Sequence, residues 1–161
     1  MTVLKFATHL WFDHQAEEAA RFYAGLFENS SVDRVTPAPA GIPGGVQEGS
    51  PFIVDVTLMG QNYIFLNGGP GFPFDAQVSL YVLCDGQAEV DHYWEALLAD
   101  GGKPQQCGWL SDRFGLSWQV IPVQLEQLMD DSDPQVVQRV VDAMLRMVKI
   151  DVAGLEAAAR G

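Results

Sequence analysis

Hydrophobic and polar positions alternate through FATHLWF, residues 6–12, and the period then lengthens to that of a helix over DHQAEEAARFYAGLF. Asp13 is the expected N-cap, and Glu17 falls in the first turn, where the helix dipole favours a carboxylate. The same succession recurs in the second half, where an alternating run ending in SLYVLC opens into DGQAEVDHYWEALLADGG. Asp, Gln, Ala and Glu stand at 13, 15, 16 and 17 in one copy and at 85, 87, 88 and 89 in the other, so Asp85 is the matching cap. The spacing predicts that the first helix buries Ala16, Ala19, Ala20, Phe22, Tyr23, Leu26 and Phe27, and the second Ala88, Tyr93, Trp94, Leu97 and Leu98. Further strands are expected at SVDRVT, PFIVDVTLM and NYIFLN, and then at KPQQCGWLSD and LSWQVIP. The chain therefore reads strand, helix, then two or three strands, twice over, an α+β pattern whose halves are residues 1–70 and 75–122 of one domain spanning 1–161.

A helical tail, residues 123–161, follows. Asp133 is placed to cap a helix with Pro134 at its first position. Val136, Val137, Val140, Val141, Met144, Leu145 and Val148 form its apolar stripe, and short helices are expected at VQLEQLM and DVAGLEAAA. Such a stripe needs a surface to cover, either the chain's own sheet or a second subunit.

Strand parity divides the faces. Leu4, Phe6, Leu10 and Phe12 point toward the first helix, and Ala7, His9 and Trp11 away from it. Phe52, Val54, Val56 and Leu58 oppose Asp55 and Thr57, while Ile64 and Leu66 are assigned to the helix side against Tyr63, Phe65 and Asn67. In the second half Val78, Leu80, Val82, Trp118 and Val120 pack, leaving Gln77, Ser79, Tyr81, Ser117 and Gln119 opposite. The faces turned from the helices thus carry His, aromatic, amide and hydroxyl groups, a composition suited to a ligand pocket. The expected lining is His9, Trp11, Asp55, Tyr63, Phe65, Asn67, Gln77, Ser79, Tyr81 and Gln119, converging on one cleft between the halves. The plainer alternative is a second core or an intersubunit contact.

Composition narrows the partners. Against 9 basic side chains stand 21 acidic ones, a formal charge of −12, which opposes nucleic acid and anionic membranes as partners. No apolar run approaches the ~20 residues of a membrane span, and the N-terminal MTVLKFATHLWF lacks the pattern of a secretory signal. Cys84 and Cys107 form neither a disulfide framework nor a zinc knuckle, so reduced thiols and a cytoplasmic location are expected. The glycine-rich GIPGG and NGGPG join strands rather than a strand to a helix, which disfavours a nucleotide-like cofactor loop. No Ser or Cys occupies a strand-to-helix elbow, Glu17 and Glu18 read as solvated, and His14 and His92 as exposed. DRFG, residues 112–115, reads as a tight hairpin connection.

The segments LWFDHQAEEAARFYAGLF, FLNGGP, CGWLSDRFGLSWQVIP and VVDAMLRMVKIDVAGLEAA together resemble the PhnB-like branch of the vicinal oxygen chelate superfamily. That superfamily holds glyoxalase I, the bleomycin and fosfomycin resistance proteins and the extradiol dioxygenases. The branch carries the domain-family description 3-demethylubiquinone-9 3-methyltransferase. The resemblance implies paired βαβββ modules with a C-terminal helical extension, and homodimers. It also implies that a divalent metal, where present, takes His or Glu from the cleft side of the first and last strands of the modules. His9 holds the first such place, but Gln119 stands where many relatives have Glu, and Ser79, Tyr81 and Asn67 occupy the others. One imidazole among amides is a poor cation site. The leading reading is a cytosolic, dimeric small-molecule binder, with Trp11, Tyr63, Phe65 and Tyr81 holding a flat or cationic ligand by stacking and catalysis left open. The alternative is a metal-dependent lyase or isomerase built on His9. Methyl transfer, as the family description says, is disfavoured for want of a cofactor turn.

Overall fold

The computed structural model describes residues 6–161, so Leu4, assigned above to the first strand, lies outside the described residues. Two compact units divide the chain at residue 74/75.

The first unit runs β1 (Thr8–Phe12), α1 (Ala16–Leu26), β2 (Ser31–Pro37), β3 (Pro51–Leu58) and β4 (Gln61–Asn67). The sheet order is β1-β4-β3-β2, with β1 parallel to β4 and the other pairs antiparallel. A parallel pair needs a crossover, and α1 lies within it. Met59 and Gly60, both at positive φ (48° and 80°), form the two-residue turn that folds β3 onto β4. Ala16, Ala19 and Ala20 are buried on the inner face of α1, and these short side chains leave depth for large ones from the sheet. Phe65 fills it, its ring 4.9 Å from Phe12 and 6.1 Å from Tyr23.

That packing corrects the assignment of β4. Phe65 aligns with Leu10 and Val54, and Tyr63 with Thr8 and Val56, so Tyr63, Phe65 and Asn67 share the face of the buried residues of β1 and β3. Ile64 and Leu66 stand on the other face, beside His9, Asp55, Trp11 and Ile53. Aliphatic character misled the parity here because the core against an alanine-rich helix is aromatic. Phe6, expected to pack, precedes β1 and is exposed.

The second unit repeats the topology: β5 (Ser79–Cys84), α2 (Gln87–Leu98), β6 (Lys103–Pro104), β7 (Trp109–Ser111) and β8 (Ser117–Pro122), in the order β5-β8-β7-β6 with β5 parallel to β8. Each unit is thus a βαβββ module, and the fold is α+β. Val90, Tyr93, Trp94 and Leu97 of α2 are buried with Val82, Cys84, Trp118 and Val120 of the sheet. Ala88 is exposed instead, and Val78, which precedes β5, is exposed as well. The DRFG connection is latched by the buried Asp112: Oδ1 accepts from the backbone N–H groups of Phe114 (2.9 Å) and Leu116 (3.1 Å), and Oδ2 from the indole N–H of Trp118 (2.8 Å).

The tail forms α3 (Val123–Met129), α4 (Pro134–Met144) and α5 (Val152–Arg160). Asp133 caps α4 as expected, its side chain accepting from Gln135 N at 2.9 Å. Leu125, Val140, Ala143, Ile150 and Leu155 close on Ile121 of β8, so the apolar stripe covers the chain's own sheet through Val140 and its neighbours, while Leu145 and Val148 stay exposed. Gln87 pins the tail to α2, accepting from Val152 N (2.8 Å) and donating to Ile150 O (3.1 Å). Lys149 adds an ion pair to Asp91 at 2.6 Å; that hydrogen bond, with one from Gln87, holds the Asp91 carboxyl below its ordinary value. No helix among the described residues is long and apolar enough to cross a membrane.

Candidate functional site

Within each unit the residues expected to line the cleft fall into several environments. Asn67 is buried and structural. Its Oδ1 accepts from Ala16 N at 2.8 Å and its Nδ2 donates to Pro51 O at 2.9 Å. It therefore caps α1, whose own N-cap residue, Gln15, makes no side-chain cap bond. Asp13, the expected cap, is exposed and lies 3.3 Å from His14. In the second unit Gly86, not Asp85, holds the cap position, and Glu89 reaches back to accept from Asp85 N at 2.7 Å. Nothing local in sequence marks Asn67 as a cap, since its partner is 51 residues away.

Trp11 is equally committed. Its indole N–H donates to Gly69 O at 2.8 Å, and Phe72 meets it edge-on at 5.0 Å. A Cβ on Gly68 would fall 2.2 Å from the indole ring, so only glycine admits this stacking. The loops also press on each other, a Cβ on Gly69 meeting Gly44 O at 2.6 Å and one on Gly44 meeting Gly68 O at 2.7 Å. The two glycine-rich loops thus serve mutual packing. A cavity of about 260 Å³ beside them is bordered by Asp13, His14, Gln47, Ser50, Asn67 and the loop glycines, and Asn67 already holds Ala16 N and Pro51 O there.

On the open face of the first sheet, Asp55 accepts from Arg34 Nε at 2.7 Å, and His9 is exposed. Among the described residues no three His, Cys, Asp or Glu side chains gather closely enough to hold a metal ion. The residues present do not fit the divalent site of the superfamily's metal-using members. Gln77 lies ahead of β5, its N–H turned to Asp75 Oδ1 at 2.8 Å, so it is no part of the strand face.

Ser79, Tyr81 and Gln119 do come together. Ser79 aligns with Ser117 and Tyr81 with Gln119, and Trp109 lies on the other side of Gln119 in the sheet. Gln119 Nε2 donates to Ser79 Oγ at 2.9 Å. Where α3 and α4 meet this face, a cavity of about 280 Å³ opens, lined by Tyr81, Trp109, Gln119, Glu126, Cys107 and Met144, with Ile121, Leu125 and Met129 completing it. Tyr81 donates its hydroxyl to Glu126 Oε1 at 2.8 Å. Burial, followed by the Glu126 carboxylate, pushes the phenol above its ordinary value, so it stays a hydrogen-bond donor. Trp109, Cys107 and Glu126 were not among the sequence-based candidates. Parity from Gln119 across the hairpin would have found Trp109; the contribution of the tail had no such signal.

The topology and this face can be set beside known proteins. A structure of the PhnB protein of Bacillus cereus is 31% identical over 74% of this chain and 100% of its own, with a TM-score of 0.66. The structure of protein PA1353 from Pseudomonas aeruginosa is 21% identical over 74% of this chain and 98% of its own, with a TM-score of 0.56, a likeness of fold. A comparison with curated proteins finds no significant match. The family profile described as 3-demethylubiquinone-9 3-methyltransferase matches residues 4–121, which takes in both modules and stops short of α3. With both βαβββ units inside that match and the PhnB protein covered end to end, the chain belongs to the PhnB-like, 3-demethylubiquinone-9 3-methyltransferase-described family.

Proposed function

We propose that this protein binds a small organic molecule in the cavity on the open face of its second sheet, and that it does so as a cytosolic homodimer of the glyoxalase/bleomycin-resistance type. One observation carries the reading: a cavity of about 280 Å³ in which two aromatic rings, an amide and a carboxylate meet on an otherwise apolar wall. Apolar area supplies affinity in such a site, and a few placed polar groups supply orientation. With Nε2 held by Ser79, the carbonyl oxygen of Gln119 has no hydrogen-bond partner among the described residues and is available to a ligand donor. The family's description names methyl transfer, but the two glycine-rich loops join β2 to β3 and β4 to β5, not a strand to a helix as a nucleotide-like cofactor turn does. Binding alone accounts for the groups present.

The test is a titration of mixed aromatic and aliphatic fragments, neutral and charged, followed by NMR. The indole N–H of Trp109 is expected to shift, while that of Trp118, held by Asp112 in the buried core, stays still. Trp109→Ala should abolish saturable binding and leave the Trp118 signal in place. If every fragment that binds leaves Trp109 unmoved, or if Trp109→Ala binds them unchanged, the reading is wrong.

A further inference from the structure

We infer that the C-terminal helices make this cavity a site for a small organic cation carrying an alkylammonium group. The inference rests on the binding reading above and adds to it the class of ligand. Glu126 is the one charged side chain among the lining residues; no Lys, Arg or His stands there. Its carboxylate accepts a hydrogen bond from Tyr81 and forms no ion pair among the described residues, so a ligand cation would meet an unneutralised partner. The rings point the same way. Those of Trp11, Phe12, Tyr23, Phe65 and Phe72 all pack against other rings, whereas Tyr81 and Trp109 have no ring partner among the described residues. An aromatic face with its quadrupole unspent attracts a cation, tryptophan most strongly. The thioethers of Met129 and Met144 and the apolar Ile121 and Leu125 suit the methyl or methylene groups of an alkylammonium. An anion or a phosphate would instead face Glu126 with nothing to offset it, on a chain of net charge −12.

The source of these groups matters. Trp109 and Gln119 come from the module that the family profile covers, but Leu125, Glu126, Met129 and Met144 come from α3 and α4, beyond the matched residues 4–121. The tail therefore supplies the carboxylate that lines the cavity. It also supplies the partner that fixes the hydroxyl of Tyr81.

Choline and 3,3-dimethylbutan-1-ol share one shape and differ in a quaternary nitrogen against a quaternary carbon. Both are titrated into wild-type protein and into Glu126→Gln, which keeps the helix and an acceptor for Tyr81 and removes only the charge. Dissociation constants are read from the Trp109 indole shift, and thermal unfolding confirms that the variant is folded. Choline is expected to bind at least about tenfold more tightly than the alcohol to wild type, and the preference to shrink several-fold in Glu126→Gln. Equal affinities in wild type would overturn the cation assignment while leaving the cavity reading intact. A preference that survives Glu126→Gln undiminished would overturn the role given to Glu126. Failure of both probes to move Trp109 at millimolar concentration, where the mixed fragments do, would overturn the ammonium assignment alone; failure of the fragments too would remove the site.

Discussion

Replacing Asn67 by Ala tests whether this residue is a cap or a ligand group. The substitution deletes the acceptor of Ala16 N–H and the donor to Pro51 O. Ala16 is fully buried, so its N–H gains no water in exchange, whereas Pro51 is only half-buried and its carbonyl recovers part of its solvation. An unsatisfied buried donor costs about 1–3 kcal/mol, and loss of a helix N-cap about 0.5–2 kcal/mol, two views of the same missing bond. With a smaller contribution from Pro51, the expected loss is about 2–3 kcal/mol. Urea unfolding followed by far-UV circular dichroism should show the midpoint falling with an unchanged slope, and hydrogen exchange should show the Ala16 amide losing protection. Asn67→Asp is the control: it keeps an acceptor at a helix N-terminus, where negative charge is favourable, and should retain protection of Ala16 even though the bond to Pro51 is lost. Ligand shifts at Trp109 should be the same in both variants. A loss under about 0.5 kcal/mol, with Ala16 still protected, would refute the capping argument.

Two further outcomes follow from the second unit. Asp112→Ala leaves the N–H groups of Phe114 and Leu116 and the indole of Trp118 without their shared acceptor; a loss of about 3 kcal/mol or more is expected in denaturant melts, and a loss under about 1 kcal/mol would show the latch to be dispensable. The two cysteines should separate in a thiol titration. Cys84 is fully buried, and burial, reinforced by Glu89, pushes its thiol up from 9.0 to about 12, so at pH 8 one equivalent, that of the half-buried Cys107, should react and should be slowed by cavity ligands. The raised value has a stability consequence: Cys84 stays protonated in the fold but ionises in the unfolded chain, so its contribution is complete below about pH 9 and is lost as pH rises toward 12. Cys84→Ala should flatten that alkaline loss, and an unchanged profile would disprove it.

Periodicity determined much of this protein. The alternation at β1 and β5, the helical spacing after each, and the recurrence of Asp, Gln, Ala and Glu set the two strand–helix–strand units; Asp133 with Pro134 set the start of α4. These signals are local, because strand and helix periods and cap chemistry act within a few residues. What escaped them acts across the chain. The face of β4 was decided by the volume that Ala16, Ala19 and Ala20 leave for Phe65, and the cap of α1 by Asn67 on a strand 51 residues away. Trp11 and the glycine loops were committed to one another by close approach, which no spacing rule contains. The cavity required α3 and α4 to lie on the open face of β5–β8 and to bring Glu126 to Tyr81, 45 residues away in sequence. A binding site is a matter of which surfaces meet, and burial free energy, summed over the folded chain, decides that where sequence pattern cannot.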